Sequence, residues 1–367
     1  MRLVVFADLH LDASFAWARP DVARRRRQNL RDVLRRILAV ADETGADAVL
    51  CAGDLYEHDR LSPDTRSFLC GALGAAGRPV LLAPGNHDWY GPRSAYVQLR
   101  WPENVRVFRE DRLTPFELAD GLTVWGAGFQ GPVRPTGFFA NGFAASRGGV
   151  NLGLFHGSER AGLAFEGGSK SPHAPFDAGE IERAGLCHAF VGHHHCPKSD
   201  EWLTYPGNPD PLAFGESGER GLVIADVAGD GGLRLERRSV AISQVHDVEV
   251  DVTGCSSSQE IRERVERDLR GLAGVARLTV SGELEPQVSW TRETLADLTH
   301  ELDQLYVRAG RLRESYPLET IAKEPTVRGQ FVRSVLAVDD LSEDERRRVL
   351  LTGLRALDGR DDLELPR

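Results

Sequence analysis

Pro84-Gly85-Asn86-His87-Asp88 follows the short apolar run Val80-Leu81-Leu82-Ala83, and the interpretation of the whole chain starts from this stretch. The apolar run predicts a buried strand. Gly85 allows the backbone to turn sharply where that strand ends. The turn presents the amide oxygen of Asn86 and the imidazole of His87 at the tip of the strand. An Asn-His pair in a loop is more often an ordinary turn than a site, so the other strands decide the matter.

Four other apolar runs end in the same way, with Asp or His directly at or after the end of a predicted strand. These stretches are Asp8-Leu9-His10 after residues 3–6, Gly53-Asp54 after residues 48–51, His156 after residues 152–155, and Gly192-His193-His194-His195 after residues 189–191. Ligands bind at the carboxyl ends of strands in open α/β sheets. We therefore expect the five stretches to meet at one edge of the fold and to form one site.

In this order the five stretches resemble the signature of the calcineurin-like metallophosphoesterases, which is DxH, GDxx, GNHD/E, a single histidine and GHxH. Each motif alone is weakly specific, whereas all five in order, each after a strand, are highly specific. The resemblance covers residues 1–242. It implies an α/β (α+β) fold, a two-sheet β-sandwich flanked by helices.

The resemblance also implies a centre of two divalent metal ions about 3.5–4 Å apart. The implied ligands are Asp54 as the bridge, Asp8, His10 and His195 at one metal, and Asn86, His156 and His193 at the other. No cysteine is in this set, which favours hard or borderline metals; the family most often uses manganese, and iron or zinc fits the same ligands. His87 is not a ligand and is implied to act catalytically, by stabilising or protonating the leaving oxygen. Some of these nucleases carry a second histidine where this chain has Glu57, so a second catalytic histidine is not expected.

The composition gives the chain no global attraction for nucleic acid. Its 367 residues carry a formal net charge of −10, which counts mildly against a nuclease, although a metal site can bind phosphate without a basic surface. The main basic feature is Arg24-Arg25-Arg26-Arg27, with Arg31 and Arg35, on one predicted helix. We interpret these residues as a solvated helix face; a contact with phosphate is the alternative.

The cysteines and the first strand bear on location. Five scattered cysteines without a CxxC pair are typical of reduced thiols in a cytosolic protein. Asp8 and His10 interrupt the first apolar run, so no signal peptide is expected, and no stretch is long enough to span a bilayer. The sequence predicts a cytoplasmic protein without a membrane segment.

Periodicity predicts the main elements of residues 1–242. Apolar residues at i, i+3, i+4 and i+7 predict helices over residues 24–44 and 63–76. The first β-α-β unit should be parallel and right-handed, which brings Asp8 and Asp54 to neighbouring strand tips. Residues 105–108 and 122–126 are predicted to be strands of a second sheet. Residues 221–227 and 233–242 are predicted to close the domain as strands.

Beyond this domain we predict two regions, residues 246–285 and 286–367. The first is a small β-α-β unit, with a helix over residues 259–272, that resembles the capping domain of SbcD-type nucleases. Leucine spacing predicts a helix over residues 291–309, and Ser342 with Glu345 predicts a capping box before a last helix. These C-terminal helices either bind an ATPase partner, as in the family, or only pack on the cap.

One further stretch narrows the resemblance within the family. A Tyr205-Pro206-Gly207 turn and then Phe214-Gly215-Glu216 follow GHxH, as in the DNA-repair exonuclease branch of SbcD and YhaO type. The branch implies a manganese-dependent DNA exonuclease or endonuclease that works with an SbcC-type SMC-like ATPase in DNA repair, and its members commonly form homodimers. The alternatives are a small-substrate metallophosphatase or cyclic-nucleotide phosphodiesterase, which should lack this stretch and the cap, and a non-catalytic scaffold, which the complete ligand set disfavours.

Overall fold

The structure is a computed structural model. It describes residues 1–163, 172–285 and 301–359, together with Val288, Thr291, Leu295 and Leu298. The chain divides into two compact units, Met1–Val245 and His246–Arg367.

The first unit contains two six-stranded sheets. The strands of the first sheet are β1 (Arg2–Phe6), β2 (Ala48–Cys51), β3 (Val80–Leu82), β4 (Val105–Val107), β11 (Gly221–Val227) and β12 (Leu233–Ser239). Their spatial order is β12-β11-β1-β2-β3-β4. The four strands from β1 to β4 are parallel, whereas β11 and β12 are antiparallel additions at the β1 edge. The predicted closing strands are therefore confirmed.

The prediction for residues 105–108 is half right. They form a strand, but β4 pairs with β3 at the edge of the first sheet and not in the second. The main-chain bonds Val80 N–H to Asn104 O, 2.9 Å, and Phe108 N–H to Leu82 O, 2.9 Å, fix this pairing. A three-residue apolar pattern predicts a strand without identifying its neighbour, so the sequence could not assign the sheet.

The second sheet carries the other ligand-bearing strands. Its strands are β5 (Thr114–Ala119), β6 (Leu122–Gly126), β7 (Val150–His156), β8 (His188–Gly192), β9 (Lys198–Ser199) and β10 (Leu203–Tyr205). The order is β5-β6-β7-β8-β10-β9, and β6, β7, β8 and β10 are parallel. The predicted second-sheet strand over residues 122–126 is confirmed.

Helices cover the outer face of the first sheet. The helices of this unit are α1 (Pro20–Glu43), α2 (Pro63–Gly74), α3 (Ala95–Gln98), α4 (Arg160–Leu163) and α5 (Ala178–Arg183). Pro20 occupies the first turn of α1, where its missing N–H is not needed. Gly45, with φ of 62°, follows the end of that helix in the left-handed conformation. Ser62 accepts a hydrogen bond from Thr65 N–H and so caps α2. The two predicted helices are confirmed.

Alternation along β1 shows how the layers pack. Val4 and Phe6 belong to the apolar cluster that contains the buried stripe of α1. Leu3 and Val5 belong to the cluster between the two sheets, with Leu154 of β7. A third cluster lies on the outer face of the second sheet and is rich in phenylalanine. With both faces of each sheet covered, the carboxyl ends of the parallel strands are left to form a site.

The second unit combines a sheet with helices. Its elements are β13 (Val245–Asp251), α6 (Ser258–Leu269), β14 (Gly274–Leu284), β15 (Leu302–Glu314), α7 (Leu318–Lys323), α8 (Val327–Leu336) and α9 (Glu343–Leu357). The sheet has the order β13-β14-β15, and the predicted capping box of Ser342 and Glu345 is present at the start of α9. Within the described residues of the chain, no helix has the length and apolar character needed to cross a membrane.

The prediction of a helix over residues 291–309 is wrong for residues 302–309, which the structure describes as a strand. Residues 302–309 lie in β15, which runs parallel to β14 with Ala276 opposite Leu305 and Leu278 opposite Val307. Most of residues 291–301 lie outside the described residues. Leucines spaced three and four residues apart fit a helix. In the same segment, however, Leu302 and Gln304 lie two residues apart and are both buried, which fits a strand. Pairing with the long strand β14 selects the strand over the helix, and the local spacing of leucines gives no information about that pairing.

Candidate metal centre

The five sequence motifs meet at the carboxyl ends of β1, β2, β3, β7 and β8. Main-chain bonds join the first two loops directly, since Asp8 N–H donates to Gly53 O and His10 N–H donates to Asp54 O, each at 2.9 Å. The next loop joins them through His58 N–H, which donates to His87 O at 2.9 Å. Gly157 N–H donates to Gly192 O at 3.2 Å, and His193 N–H donates to Asp8 Oδ1 at 3.0 Å, so the five loops form one connected rim.

Backbone strain is concentrated on this rim. Asp8, His10, Asp54 and His193 have φ of 54°, 50°, 52° and 106°, a region that non-glycine residues seldom adopt. Such conformations persist when the surrounding structure enforces them, and they cluster at functional sites.

The motif glycines allow the loops to approach one another closely. A Cβ atom on Gly85 would lie 2.3 Å from Asp54 Oδ1, and one on Gly53 would lie 2.5 Å from His156 Nδ1. A Cβ atom on Gly192 would lie 2.1 Å from Ala52 O. Any side chain at these positions would push the donor groups apart, which is a physical reason for glycine in three of the motifs.

Asp54 lies at the middle of the donor groups. Its Oδ2 is 3.3 Å from His156 Nε2 and 3.6 Å from His10 Nε2. Three sets of donor atoms, each within 4.8 Å of one another, occur among the described residues, and they are Asp8-His10-His195, Asp8-Asp54-His156 and His10-Asp54-His87. Asp54 belongs to two sets, as do Asp8 and His10, so the three sets overlap in one continuous group of oxygen and nitrogen donors.

Asn86 and His193 join this group by other contacts. Asn86 Oδ1 is 3.0 Å from His156 Nε2. The rings of His156 and His193 have centroids 5.2 Å apart, and His193 N–H donates to Asp8 Oδ1 at 3.0 Å. His193 is in none of the three compact sets, whereas His87, which the sequence analysis excluded as a ligand, is in one.

Two glutamates that the sequence analysis did not assign hold the histidine rings in place. Glu57 Oε1 is 2.7 Å from His10 Nδ1, and its Oε2 is 3.1 Å from His87 Nδ1. Glu216 Oε1 is 2.7 Å from His195 Nδ1. A carboxylate on one ring nitrogen fixes the tautomer and directs the other nitrogen to a metal. The sequence signal for Glu57 is that it stands where some of these nucleases have a second histidine. The signal for Glu216 is its place as the last residue of the Phe-Gly-Glu stretch.

His10 tests whether these residues fit a metal ion. Its side chain is almost fully buried, and its Nε2 atom has no hydrogen-bond partner among the described residues. A buried nitrogen without a partner is costly. With Nδ1 held by Glu57, Nε2 offers its lone pair to the space shared with Asp54. This arrangement fits a divalent metal bound by nitrogen and oxygen.

The model of the calcineurin-like phosphoesterase family matches residues 1–197, which is more than half of the chain. The chain belongs to this family. The predicted family and the predicted fold class, a mixed α/β two-sheet arrangement with flanking helices, are therefore confirmed.

Three curated relatives share one name, DNA double-strand break repair protein Mre11. The Haloferax volcanii protein is 28% identical over 70% of this chain and 58% of its own length. The Methanopyrus kandleri protein is 25% identical over 73% of this chain and 63% of its own length. The Halobacterium salinarum protein is 26% identical over 71% of this chain and 67% of its own length. This chain thus spans about three fifths to two thirds of these relatives, and they support the DNA-repair branch indicated by the motifs.

The ionisable side chains of the centre shift one another's pKa values. Burial tends to raise the pKa of Asp54, but His156 outweighs burial and holds this pKa well below its usual range. Burial tends to lower the pKa of His156, but Asp54 and Asp8 raise it to about 9. Burial and the charge of His156 lower the pKa of His193 to about 2. Because a metal must displace the proton of His156, metal affinity should fall as pH falls.

Asp88 joins two of the ligand loops through hydrogen bonds. It is fully buried and accepts hydrogen bonds from Gly85 N–H at 2.6 Å, Leu55 N–H at 2.7 Å and the Tyr96 hydroxyl at 2.6 Å. These bonds fix the β2 and β3 loops relative to each other. The last residue of the GNHD motif is therefore explained by the placement of Asp54 and Asn86.

Proposed function

We propose that this chain is a two-metal phosphodiesterase, a manganese-dependent DNA nuclease that works with an SMC-like ATPase in DNA repair. One observation carries the proposal: oxygen and nitrogen donors from five strand ends converge on Asp54, and carboxylates hold His10 and His195 by Nδ1. A shared carboxylate with such donors on either side suits a pair of divalent ions.

The proposed ligand roles follow the donor positions. Asp54 bridges the metals, Asp8, His10 and His195 serve one of them, and Asn86, His156 and His193 serve the other. When bound there, divalent ions neutralise phosphate charge and activate water. The chain itself contributes a closed rim of loops and histidine rings oriented by glutamates, so the donors require little rearrangement on binding.

His87 is proposed to act on the leaving oxygen. Glu57 accepts at its Nδ1, which leaves Nε2 for the substrate, and its side chain is 46% exposed. The Glu57 hydrogen bond outweighs burial and raises the pKa of His87 to about 9. This contact favours the imidazolium form of the ring, which is the form that can donate a proton. Its place in one compact donor set makes direct metal binding the competing role.

DNA is proposed as the substrate because of the relatives and the motif after GHxH. The three relatives are named for double-strand break repair, and this chain carries the Phe-Gly-Glu stretch of the same branch. Glu216 of that stretch contacts His195, which ties the branch feature to the centre.

The second unit is proposed to carry the cap, residues 246–285, and the surface for the ATPase. Several large apolar side chains on or beside α8 and α9 are exposed, and these are Val327, Leu336, Val338, Val349 and Leu357. Unburied apolar residues concentrated in two adjacent helices suit a protein partner. Homodimer formation and a cytoplasmic location stay predictions.

The test is an activity assay of the purified chain with Mn²⁺. Labelled single-stranded and double-stranded DNA are assayed beside bis-p-nitrophenyl phosphate, with Asp54→Asn as the inactive control. Manganese-dependent cleavage of DNA supports the proposal. Hydrolysis of the small ester or of cyclic nucleotides with intact DNA would instead identify a small-substrate phosphodiesterase. No hydrolysis of any substrate would favour a scaffold.

A further inference from the structure

An open groove beside the metal centre is lined by four arginines. Its volume is about 570 Å³, and its lining includes Arg24, Arg27 and Arg31 of α1 and Arg60 of the loop after β2. We propose that this groove binds the sugar-phosphate backbone of the nucleic-acid strand whose phosphodiester lies at the metals. The inference rests on the proposed nuclease function and adds a binding site to it.

The helix presents these arginines together. Arg24, Arg27 and Arg31 are spaced i, i+3 and i+7, so they share one face of α1. The buried stripe of the same helix contains Leu30, Val33 and Leu34 and packs on the first sheet. Arg26, which falls between the groove residues in sequence, is buried and donates to Pro211 O. The run of four arginines is therefore divided by helix geometry, and only part of it faces the groove.

The groove arginines are not neutralised by ion pairs. Across the described ranges, no carboxylate lies within 4.0 Å of the guanidinium groups of Arg24, Arg27, Arg31 or Arg60. Arg27 donates to Ser14 O at 3.3 Å and Arg31 to Thr65 Oγ1 at 2.6 Å, so each still has N–H groups to offer. By contrast Arg35, one turn farther along α1, pairs with Asp32.

The balance of charge in the groove is positive in an acidic chain. Four arginines and two aspartates, Asp12 and Asp59, line it, which is a formal +2 (4 − 2). Asp12 uses both carboxylate oxygens internally, for Ser62 N–H at 2.8 Å and for the Thr65 hydroxyl at 2.9 Å. Guanidinium groups bind phosphate oxygens in a bidentate manner. A row of them suits successive phosphates of one strand.

The groove and the metal centre share two loops. Asp12 follows the proposed ligand His10 by two residues, and Leu11 bridges to Tyr56 just after Asp54. Arg60 N–H donates to Glu57 O at 3.1 Å, and Glu57 is the residue that orients His10. A strand that leaves the metals along these loops enters the groove directly. The arginines would then hold phosphates some nucleotides away from the cut, which a small phosphate ester cannot reach.

The test compares Arg24→Gln/Arg60→Gln with Arg35→Gln. The first pair removes two exposed groove charges, and the control removes one charge from the same helix outside the groove. Binding of a fluorescein-labelled single strand is measured by anisotropy with Ca²⁺ in place of Mn²⁺, from 0.05 to about 1 M KCl. If each arginine holds one phosphate, the slope of log K against log[KCl] falls by about 1.4. If the wild type and the double variant bind equally near 1 M KCl, the smaller slope gives the double variant an affinity about 25-fold lower than that of the wild type at 0.1 M KCl.

Cleavage of the same strand is compared with hydrolysis of bis-p-nitrophenyl phosphate in Mn²⁺. For the double variant, kcat/KM on the strand divided by kcat/KM on the ester should fall by a similar factor. For Arg35→Gln this ratio should stay near the wild-type value. An unchanged salt slope and ratio in a double variant that melts like the wild type would overturn the groove while the nuclease proposal stands. If the wild type neither binds nor cuts DNA but hydrolyses the small ester, the proposed function fails, and the groove inference fails with it.

Discussion

Replacing Glu57 by Gln isolates the one side chain that contacts both a proposed metal ligand and the proposed catalytic acid. Its two oxygens lie 2.7 Å from His10 Nδ1 and 3.1 Å from His87 Nδ1. A glutamine of the same shape has one oxygen and one NH₂ group, so it can accept from one imidazole N–H and must present N–H to the other. One of the two rings therefore loses its partner and its fixed orientation.

The size of the effect follows from which contact is lost. Loss of an outer hydrogen bond on a metal-binding histidine weakens metal binding by about 10–100-fold, or about 1.4–2.7 kcal/mol. Loss of the contact to His87 leaves metal binding intact but lowers kcat, because general acid catalysis contributes about 10²–10⁴-fold. Burial tends to raise the pKa of Glu57, and the hydrogen bonds from His10 and His87 lower it to about 2, which shows that the two rings act on it together.

The assay measures Mn²⁺ affinity by calorimetry and kcat on DNA across a manganese titration. We expect Glu57→Gln either to need about 10–100-fold more Mn²⁺ for half-maximal activity, if His10 loses its partner, or to have a lowered kcat at saturating metal, if His87 loses its partner. Glu103→Gln, the same change at an exposed residue just before β4, should leave both quantities at wild-type values. Wild-type Mn²⁺ affinity together with wild-type kcat in Glu57→Gln would refute the reasoning, because neither ring would then depend on this carboxylate.

Three further predictions concern the centre and the partner. Asp54→Ala should lose both metals and Asp8→Ala mainly one; two metals retained in Asp54→Ala by elemental analysis would disprove the bridge. His87→Gln should keep both metals and cleave DNA at least about a hundredfold more slowly, with a smaller loss on a p-nitrophenyl ester; equal losses would exclude the leaving-group role, and a lost metal would make it a ligand. Truncation before Ser315 should keep phosphodiesterase activity and abolish binding of the SMC-like ATPase; intact co-purification would contradict this.

The sequence predicted that these donor residues would lie together because they stand at strand ends. Each of Asp8, Asp54 and Asn86 follows a short apolar run, and parallel neighbouring strands place such residues side by side. The glycines of the same motifs could also be recognised, since each removes a side chain from a crowded point. The metal roles of the individual residues stay predictions.

What the sequence could not predict depends on contacts between distant residues. Glu57 reaches His10 across 47 positions, and Glu216 reaches His195 across 21, and no local pattern encodes either pair. The strand over residues 302–309 was predicted as a helix because leucine spacing suited both states and only the pairing with β14 decides. Similarly, the sequence predicts one solvated face for the run of four arginines. The packing of α1 on the sheet instead buries Arg26 and places Arg24 and Arg27 at the groove.

Anomalous diffraction from crystals grown with Mn²⁺ tests the central claim most directly, because it shows how many metals bind and where. The account predicts two manganese peaks about 3.5–4 Å apart, with the Asp54 carboxylate between them, His10 and His195 at one peak, and His156 and His193 at the other. A single peak, or two peaks that share no carboxylate of Asp54, would contradict it.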